Sequence, residues 1–351
     1  MVKRTAVVIS FLAAIVLLPA AQAHTKQNKL KAAQVFLDAA NRTDLRAPGS
    51  PPFELLASIK LDIHGTWLNG TYLLLWDSPE RWSEKIALPG YQRIRAQNPS
   101  GIWLHRNLDY EIPSVKDLDD ALSFSAKLRS NVKLHPAKFK TREVLSADLE
   151  CSRTNINSYL PPGNDFQQLV DLTIEDFCFD PKQAELRVEL FPKGANDAPN
   201  LTSVEYSDFA PFGTKEYPRT IRLSSQGDTF LTFSVRRIAL LVDPPSSDFK
   251  PPADGMFMAT CAAPEEPKII KQALPVYPRD ERLAGRNGHV VLYVMIAADG
   301  SVKNARVIFS AGPEFDAAAL AAVRRWRYQP RSCNGKPTPI EIYVPVYFQV
   351  G

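Results

Sequence analysis

The stretch Gly288-His289-Val290-Val291-Leu292-Tyr293-Val294-Met295-Ile296-Ala297, followed by Asp299-Gly300, decides how the end of this chain folds. It holds no Lys, Arg, Asp or Glu and is rich in β-branched and aromatic side chains. That composition predicts a central strand covered on both faces. Asp-Gly is a hairpin turn signal, so Ser301 to Ser310 pairs back onto the strand. Alternation then puts Ala305, Val307 and Phe309 inward, while Lys303 on that parity and Asn304 and Arg306 on the other stay wet. A helix follows. Pro313 suits its first turn, Glu314 and Asp316 its positive end, and Arg324, Arg325 and Arg327 its negative end. Phe315, Ala319, Ala322 and Trp326 make its buried stripe. Pro330 to Pro339 reads as a loop containing Cys333 and Asn334-Gly335. Ile340 to Val350 reads as a last strand, with Ile342, Val344, Val346 and Phe348 toward the core and Glu341, Tyr343, Tyr347 and Gln349 on the other side. The layout is β-β-α-β.

The whole chain has 351 residues, of which 45% are hydrophobic and 23% charged, values that exclude a disordered or low-complexity protein. At roughly 100 to 200 residues per domain, two domains are expected. The fold class is α+β, with an antiparallel curved sheet or half-barrel ahead of the β-β-α-β domain. The net charge is only +4, with no clustered Lys/Arg blocks to track a phosphate backbone, so nucleic acid is not the expected partner.

Residues 1–23 carry Lys3 and Arg4, an apolar run from Ala6 to Leu18, then Pro19 and Ala21-Gln22-Ala23, the pattern of a secretory signal cleaved after Ala23. The competing reading keeps the segment as an uncleaved anchor. Residues 24–49 hold an amphipathic helix, with Leu30, Ala33, Phe36, Leu37 and Ala40 on one face, broken by the prolines that follow. From 50 to 242 the chain reads as short strands, and Phe53, Leu55, Ala57, Ile59 and Leu61 alternate in the first of them. One helix is expected within 115–129. Residues 243–262, with Pro244-Pro245 and Pro251-Pro252, read as a stiff linker that extends to at most about 70 Å. The last domain is 263–351.

Cys151, Cys178, Cys261 and Cys333 suit an exported protein. Four cysteines allow three pairings, and the domain division favours Cys151 with Cys178 and Cys261 with Cys333. No CxxC or CxxH pair occurs and the five histidines are scattered, so no metal is expected. Gly-x-Ser-x-Gly, phosphate-loop and HExxH motifs are absent, and neither an enzymatic activity nor a cofactor is expected.

Residues 263–351 closely resemble the TonB carboxy-terminal domain family. The resemblance rests on Tyr277-Pro278, Gly288 with its apolar run, Asp299-Gly300-Ser301-Val302, Ser310-Ala311-Gly312, Phe315-Asp316-Ala317-Ala318-Ala319-Leu320, Arg325-Trp326-Arg327-Tyr328-Gln329-Pro330 and Gly335-Lys336-Pro337, in the family's order and spacing. That family joins an inner-membrane proton-driven motor to outer-membrane transporters, pairing a sheet edge with an extended transporter peptide. The resemblance implies that Ile340 to Val350 is the receiving strand. Tyr277, Pro278, Ile342, Tyr343, Val344, Tyr347 and Gln349 are then the candidate partner-binding residues. Pro345 has no N–H and must turn its nitrogen to the open edge or a bulge. The family's transducers keep an anchor with a Ser/His pair, whereas Ser10 here has no histidine near it. An anchored chain would be a transducer facing the periplasm, and a cleaved one a periplasmic adaptor.

Residues 50–255 resemble, more faintly, the LolA-like lipoprotein carrier fold, through Gly70-Thr71-Tyr72 with Trp76, Ser78-Pro79-Glu80-Arg81-Trp82, Gly101-Ile102-Trp103 and Tyr217-Pro218-Arg219-Thr220-Ile221. That resemblance implies an apolar concavity in which Trp76, Trp82, Trp103 and Phe124 could meet a lipid. The alternative function is a periplasmic lipid or lipoprotein carrier that docks through its last domain. Equally, these aromatics could fill an ordinary core.

Overall fold

The structure is a computed structural model that describes residues 34, 37–47, 49–63, 65–123, 138–155, 174–183, 185–193, 200–258, 267–333 and 335–350. The signal or anchor segment, Phe124 and Cys261 lie outside these. The chain is mostly β. Its strands are β1 (Phe53–Ile63), β2 (Thr66–Ser78), β3 (Arg81–Leu88), β4 (Tyr91–Asn98), β5 (Gly101–Arg106), β6 (Lys138–Val144), β7 (Ala147–Asn155), β8 (Ile174–Asp180), β9 (Glu185–Lys193) and β10 (Asn200–Phe212). They continue as β11 (Lys215–Ser225), β12 (Asp228–Leu240), β13 (Met256–Met258), β14 (Lys268–Lys271), β15 (Gly288–Ile296), β16 (Val302–Phe309), β17 (Arg327–Gln329), β18 (Arg331–Cys333), β19 (Lys336–Thr338) and β20 (Ile340–Phe348). Among the described residues, no helix is long and apolar enough to cross a membrane.

The chain divides into two compact units. The first comprises Met1–Pro79, Ile86–Gly90 and Lys116–Pro244. Its antiparallel strands run in the order β2-β1-β12-β11-β10-β9-β8-β7-β6, and no pairing closes them into a barrel among the described residues. The alternation expected of the first strand holds, since Phe53, Leu55, Ala57, Ile59 and Leu61 are all buried. Residues 37–43 are helical, and the buried Lys215 ammonium donates to the Asn41 carbonyl at 2.8 Å. Cys151 lies directly opposite Cys178 on the β7/β8 ladder, and the two form a disulfide. The helix expected within 115–129 starts earlier, at Pro113, and runs to Leu122. Its Ala121 carbonyl accepts the Tyr206 hydroxyl at 3.0 Å.

The second unit comprises Glu80–Lys85, Tyr91–Val115 and Pro245–Gly351. Here β13-β5-β4 pair antiparallel, and residues 245–258 do not run free of them. Phe249 is buried in a short 3-10 turn under the Arg81 guanidinium, 4.4 Å from its ring centre, and Phe257 packs edge-on against Trp103. The central sheet of this unit has the order β16-β15-β20, all antiparallel, so β15 takes the middle place its two apolar faces require.

Between β15 and β16 the turn needs Gly300, at φ +80°, because a Cβ there would lie 1.9 Å from the Tyr328 carbonyl oxygen. The helix Pro313–Val323 packs its Phe315, Ala319 and Val323 on one sheet face and also buries Ala322, while Asp316 accepts the Ala311 N–H and the Ser310 hydroxyl ahead of it. Gly288 permits this approach, since a Cβ there would come within 2.8 Å of the Phe315 ring.

Three expectations about this region change. Phe309 is 53% exposed rather than inward, because β16 bulges: Leu292 pairs with Val307 but Val291 with Phe309, and the extra residue flips the parity. Arg324, Arg325 and Arg327 lie beyond the last turn of the helix instead of within it, and Arg327 starts β17. Residues 330–339 are not simply a loop, for β18 and β19 pair as a small ribbon. Cys333 in that ribbon is disulfide-bonded; the expected partner, Cys261, lies outside the described residues.

Candidate functional site

The candidate receiving strand, β20, pairs with β15 in an unbroken register from Gly288 opposite Phe348 to Ile296 opposite Ile340. It has no second strand partner among the described residues. Pro345 sets which backbone groups face each way. It stands opposite Val291 and cannot donate, so this pair is a non-hydrogen-bonded one, and the pairs Val346/Val290 and Val344/Leu292 beside it carry the inner ladder. The outward N–H and C=O groups then belong to Glu341, Tyr343 and Tyr347, and Pro345 leaves one donor missing in that row.

The side chains of β20 divide as the alternation expects. Ile342 and the buried Val344, Val346 and Phe348 join the hydrocarbon core with Val290, Leu292, Val294 and Ile296. Tyr277 joins the same core, edge-on to Phe315 at 5.8 Å and to Phe348 at 5.7 Å, and its hydroxyl donates to the Arg286 carbonyl at 2.5 Å. Pro278 precedes the short helix Arg279–Leu283. The Trp326 indole N–H donates to the Ala273 carbonyl at 2.8 Å, which binds the segment before Tyr277 to the far end of the long helix. Leu274 and Val276 in that segment are largely exposed. Tyr347 stacks flat on His289 across the strand pair, with ring centres 4.6 Å apart, and Gln349 follows the end of the strand.

The other sheet face is polar, and sequence reasoning missed what covers it. Arg106, at the end of β5, extends a two-pronged hydrogen bond to Glu341 of β20, with Nη1 to Oε2 at 2.8 Å and Nη2 to Oε1. Nη2 also donates to the Tyr293 hydroxyl of β15 at 3.0 Å, while Nε donates to the Leu108 carbonyl at 3.0 Å. Asp109 accepts from Asn304 at 2.9 Å and pairs with Arg306 at 3.0 Å, both on β16. Tyr110 lies beside Tyr293, under the Arg306 guanidinium. The Tyr343 hydroxyl donates to the Glu111 carbonyl at 3.3 Å. Residues 106–111 thus grip all three strands of the sheet.

Behind this grip lies a chain of charges. Glu111 sits 3.3 Å from Arg93 and 3.7 Å from Arg106, and Glu84 bonds Arg93 at 2.6 Å and Arg95 at 3.0 Å. With Glu341, three carboxylates balance three guanidiniums, as burial requires: Glu84 and Arg93 are each 1% exposed at the side chain. Burial resists the Arg106 charge, but the hydrogen bond and attraction of Glu341 raise its pKa further above its ordinary value. Burial, then the Glu341 carboxylate, hold the Tyr293 hydroxyl protonated far above its usual range. Burial and Glu111 do the same for Tyr91.

Three of the four candidate lipid-contacting aromatics are among the described residues, Trp76 in the first unit and Trp82 and Trp103 in the second. Trp76 is buried and stacks on Phe53, at 6.4 Å between ring centres. Trp82 donates to the Gln97 side chain at 2.9 Å, and Trp103 packs on Phe257. A small cavity in the first unit is bounded by Phe53, Leu55, Tyr72, Leu74, Ala121 and Phe233 and has a volume of about 40 Å³, near one water's share.

With the open edge, the apolar core and the covered polar face in place, comparison with known proteins gives the relationship. Residues 273–350 match the family of the Gram-negative bacterial TonB protein C-terminal. Protein TonB of Vibrio cholerae serotype O1 is 30% identical over 88 residues, 24% of this chain and 36% of that protein, so the chain spans little more than a third of this relative's length. The TonB carboxy-terminal domain of Pseudomonas aeruginosa is 28% identical, covering 24% of this chain and 87% of that one at a TM-score of 0.22. A LolA superfamily protein of Nitrosomonas europaea covers 62% of this chain and 97% of its own, at 13% identity and a TM-score of 0.37.

Proposed function

We propose that this chain serves transport across the cell envelope by protein recognition, with the open edge of β20 receiving an extended segment of an outer-membrane transporter or another envelope protein. The observation that carries the reading is that edge, within the stretch that matches the TonB carboxy-terminal family. An incoming strand would take its affinity from main-chain bonds to Glu341, Tyr343 and Tyr347 and its register from the gap at Pro345. With residues 1–23 cleaved as a secretory signal, the work is periplasmic. Kept as an anchor, the same segment would make the chain an energy transducer coupled to an inner-membrane motor.

The test is a titration of the full mature chain with synthetic extended peptides derived from transporters, each made also with N-methyl groups on alternate amides. Binding that is lost when the methylated face meets β20 supports strand addition. Equal binding of the plain peptide and both methylated series would sink it, because side-chain recognition alone does not need those N–H groups.

A further inference from the structure

The polar face of the β16-β15-β20 sheet is not free to receive a partner, because this chain already occupies it. Between the end of β5 and the helix Pro113–Leu122, the chain spends Arg106 on β20 and β15, Asp109 on β16, and the Glu111 carbonyl on β20. Arg106 is 6% exposed at its side chain and Tyr293 is 1% exposed overall, so this is a packed interface and not a surface ion pair. The contacts on β20 fall in its first half, at Glu341 and Tyr343. Its second half, from Pro345 onward, leans on β15 and the hydrocarbon core.

From this we infer that residues Arg106–Glu111 are a built-in clamp on the receiving sheet, and that Arg106 is the positioning residue for the first half of β20. The open edge is then presented by a composite body of β4, β5 and the carboxy-terminal sheet. A partner strand can add only at the edge, and its bonds to Glu341 and Tyr343 use backbone that the clamp holds straight. Partner binding at that edge rests on the function proposed above; the clamp itself does not.

The experiment is backbone hydrogen exchange on the full mature chain without any partner, comparing wild type with R106Q, E341Q and the swap R106E/E341R. Exchange at Ile342 and Val344, whose N–H groups face β15, and at Asn107, whose N–H bonds the Gln92 carbonyl, should rise by about ten-fold or more in R106Q and E341Q. Exchange in β1 and β12 should stay at wild-type rates, and the swap should restore part of the protection. If R106Q loses protection everywhere, E341Q at the interface rim decides. Wild-type exchange at Ile342 and Val344 in a folded E341Q chain overturns the clamp. The same variants are then titrated with the transporter-derived peptides. Weaker binding to R106Q with recovery in the swap supports positioning, and wild-type affinity in R106Q overturns it. Peptides that bind no form of the chain would remove the proposed function while leaving the exchange result to judge the clamp.

Discussion

The two faces of the sheet around β15 solve the same problem with opposite chemistry. On one, Val290, Leu292, Val294 and Ile296 meet Phe315, Ala319 and Val323 from a helix that follows closely in sequence. On the other, Tyr293 and Glu341 are covered by Arg106, with 235 positions between Arg106 and Glu341. The hydrocarbon face is held by area, which tolerates small shifts and repacking. The polar face is held by a fork of fixed geometry, which is costly to bury and accepts only one arrangement. The first face therefore supplies stability, and the second supplies position.

The largest expected effect comes from breaking the polar face on one side only. Arg106→Ala leaves the Glu341 carboxylate poorly paired beside Tyr293 and should cost about 3–5 kcal/mol, read as a lower urea midpoint. The double change Arg106→Met with Glu341→Leu removes both charges and should recover most of that loss. If the double variant is as unstable as the single one, the pair is contributing net stability and the contrast between the faces is wrong.

On the hydrocarbon face, Leu292→Ala opens a cavity at a fully buried position and should cost about 2–5 kcal/mol, with no partial rescue by any change at Arg106. A measurable coupling between Leu292→Ala and Arg106→Ala in a double-mutant cycle would show that the faces are not independent.

The same contrast explains what could be read from sequence. The hydrocarbon face was legible because periodicity reports it directly: β15 is apolar on both parities, and Phe315, Ala319, Ala322 and Trp326 fall at helical spacing and are all buried. Phe309 misleads because a bulge carries no composition signal of its own. The small ribbon β18/β19 is hidden by its prolines and its brevity. The polar face was illegible for a deeper reason. Arg106, Asp109 and Glu111 look like solvated loop charges, and nothing local says that their partners are Glu341, Arg306 and Arg93. The signal available was indirect: a strand apolar on both faces needs a second cover, and one helix could supply only the first.

The smallest expected effect lies at the far end of the polar face, where no clamp residue reaches. His289 stacks on Tyr347 and lies 6.0 Å from the Phe309 ring, and its Nε2 is buried without a hydrogen-bond partner among the described residues. Burial lowers its pKa below the ordinary 6.5, so the unfolded chain takes up a proton before the folded one does. Stability from this group is therefore full above about pH 6.5, declines as the pH falls through the window between that value and the lower folded one, and levels off below it. Urea midpoints measured between about pH 7.5 and 5 should show a shallow decline at the acid end that His289→Phe flattens. An unchanged slope in His289→Phe would show that His289 is not the source of the decline, and the unclamped end of β20 would then have no pH response of its own.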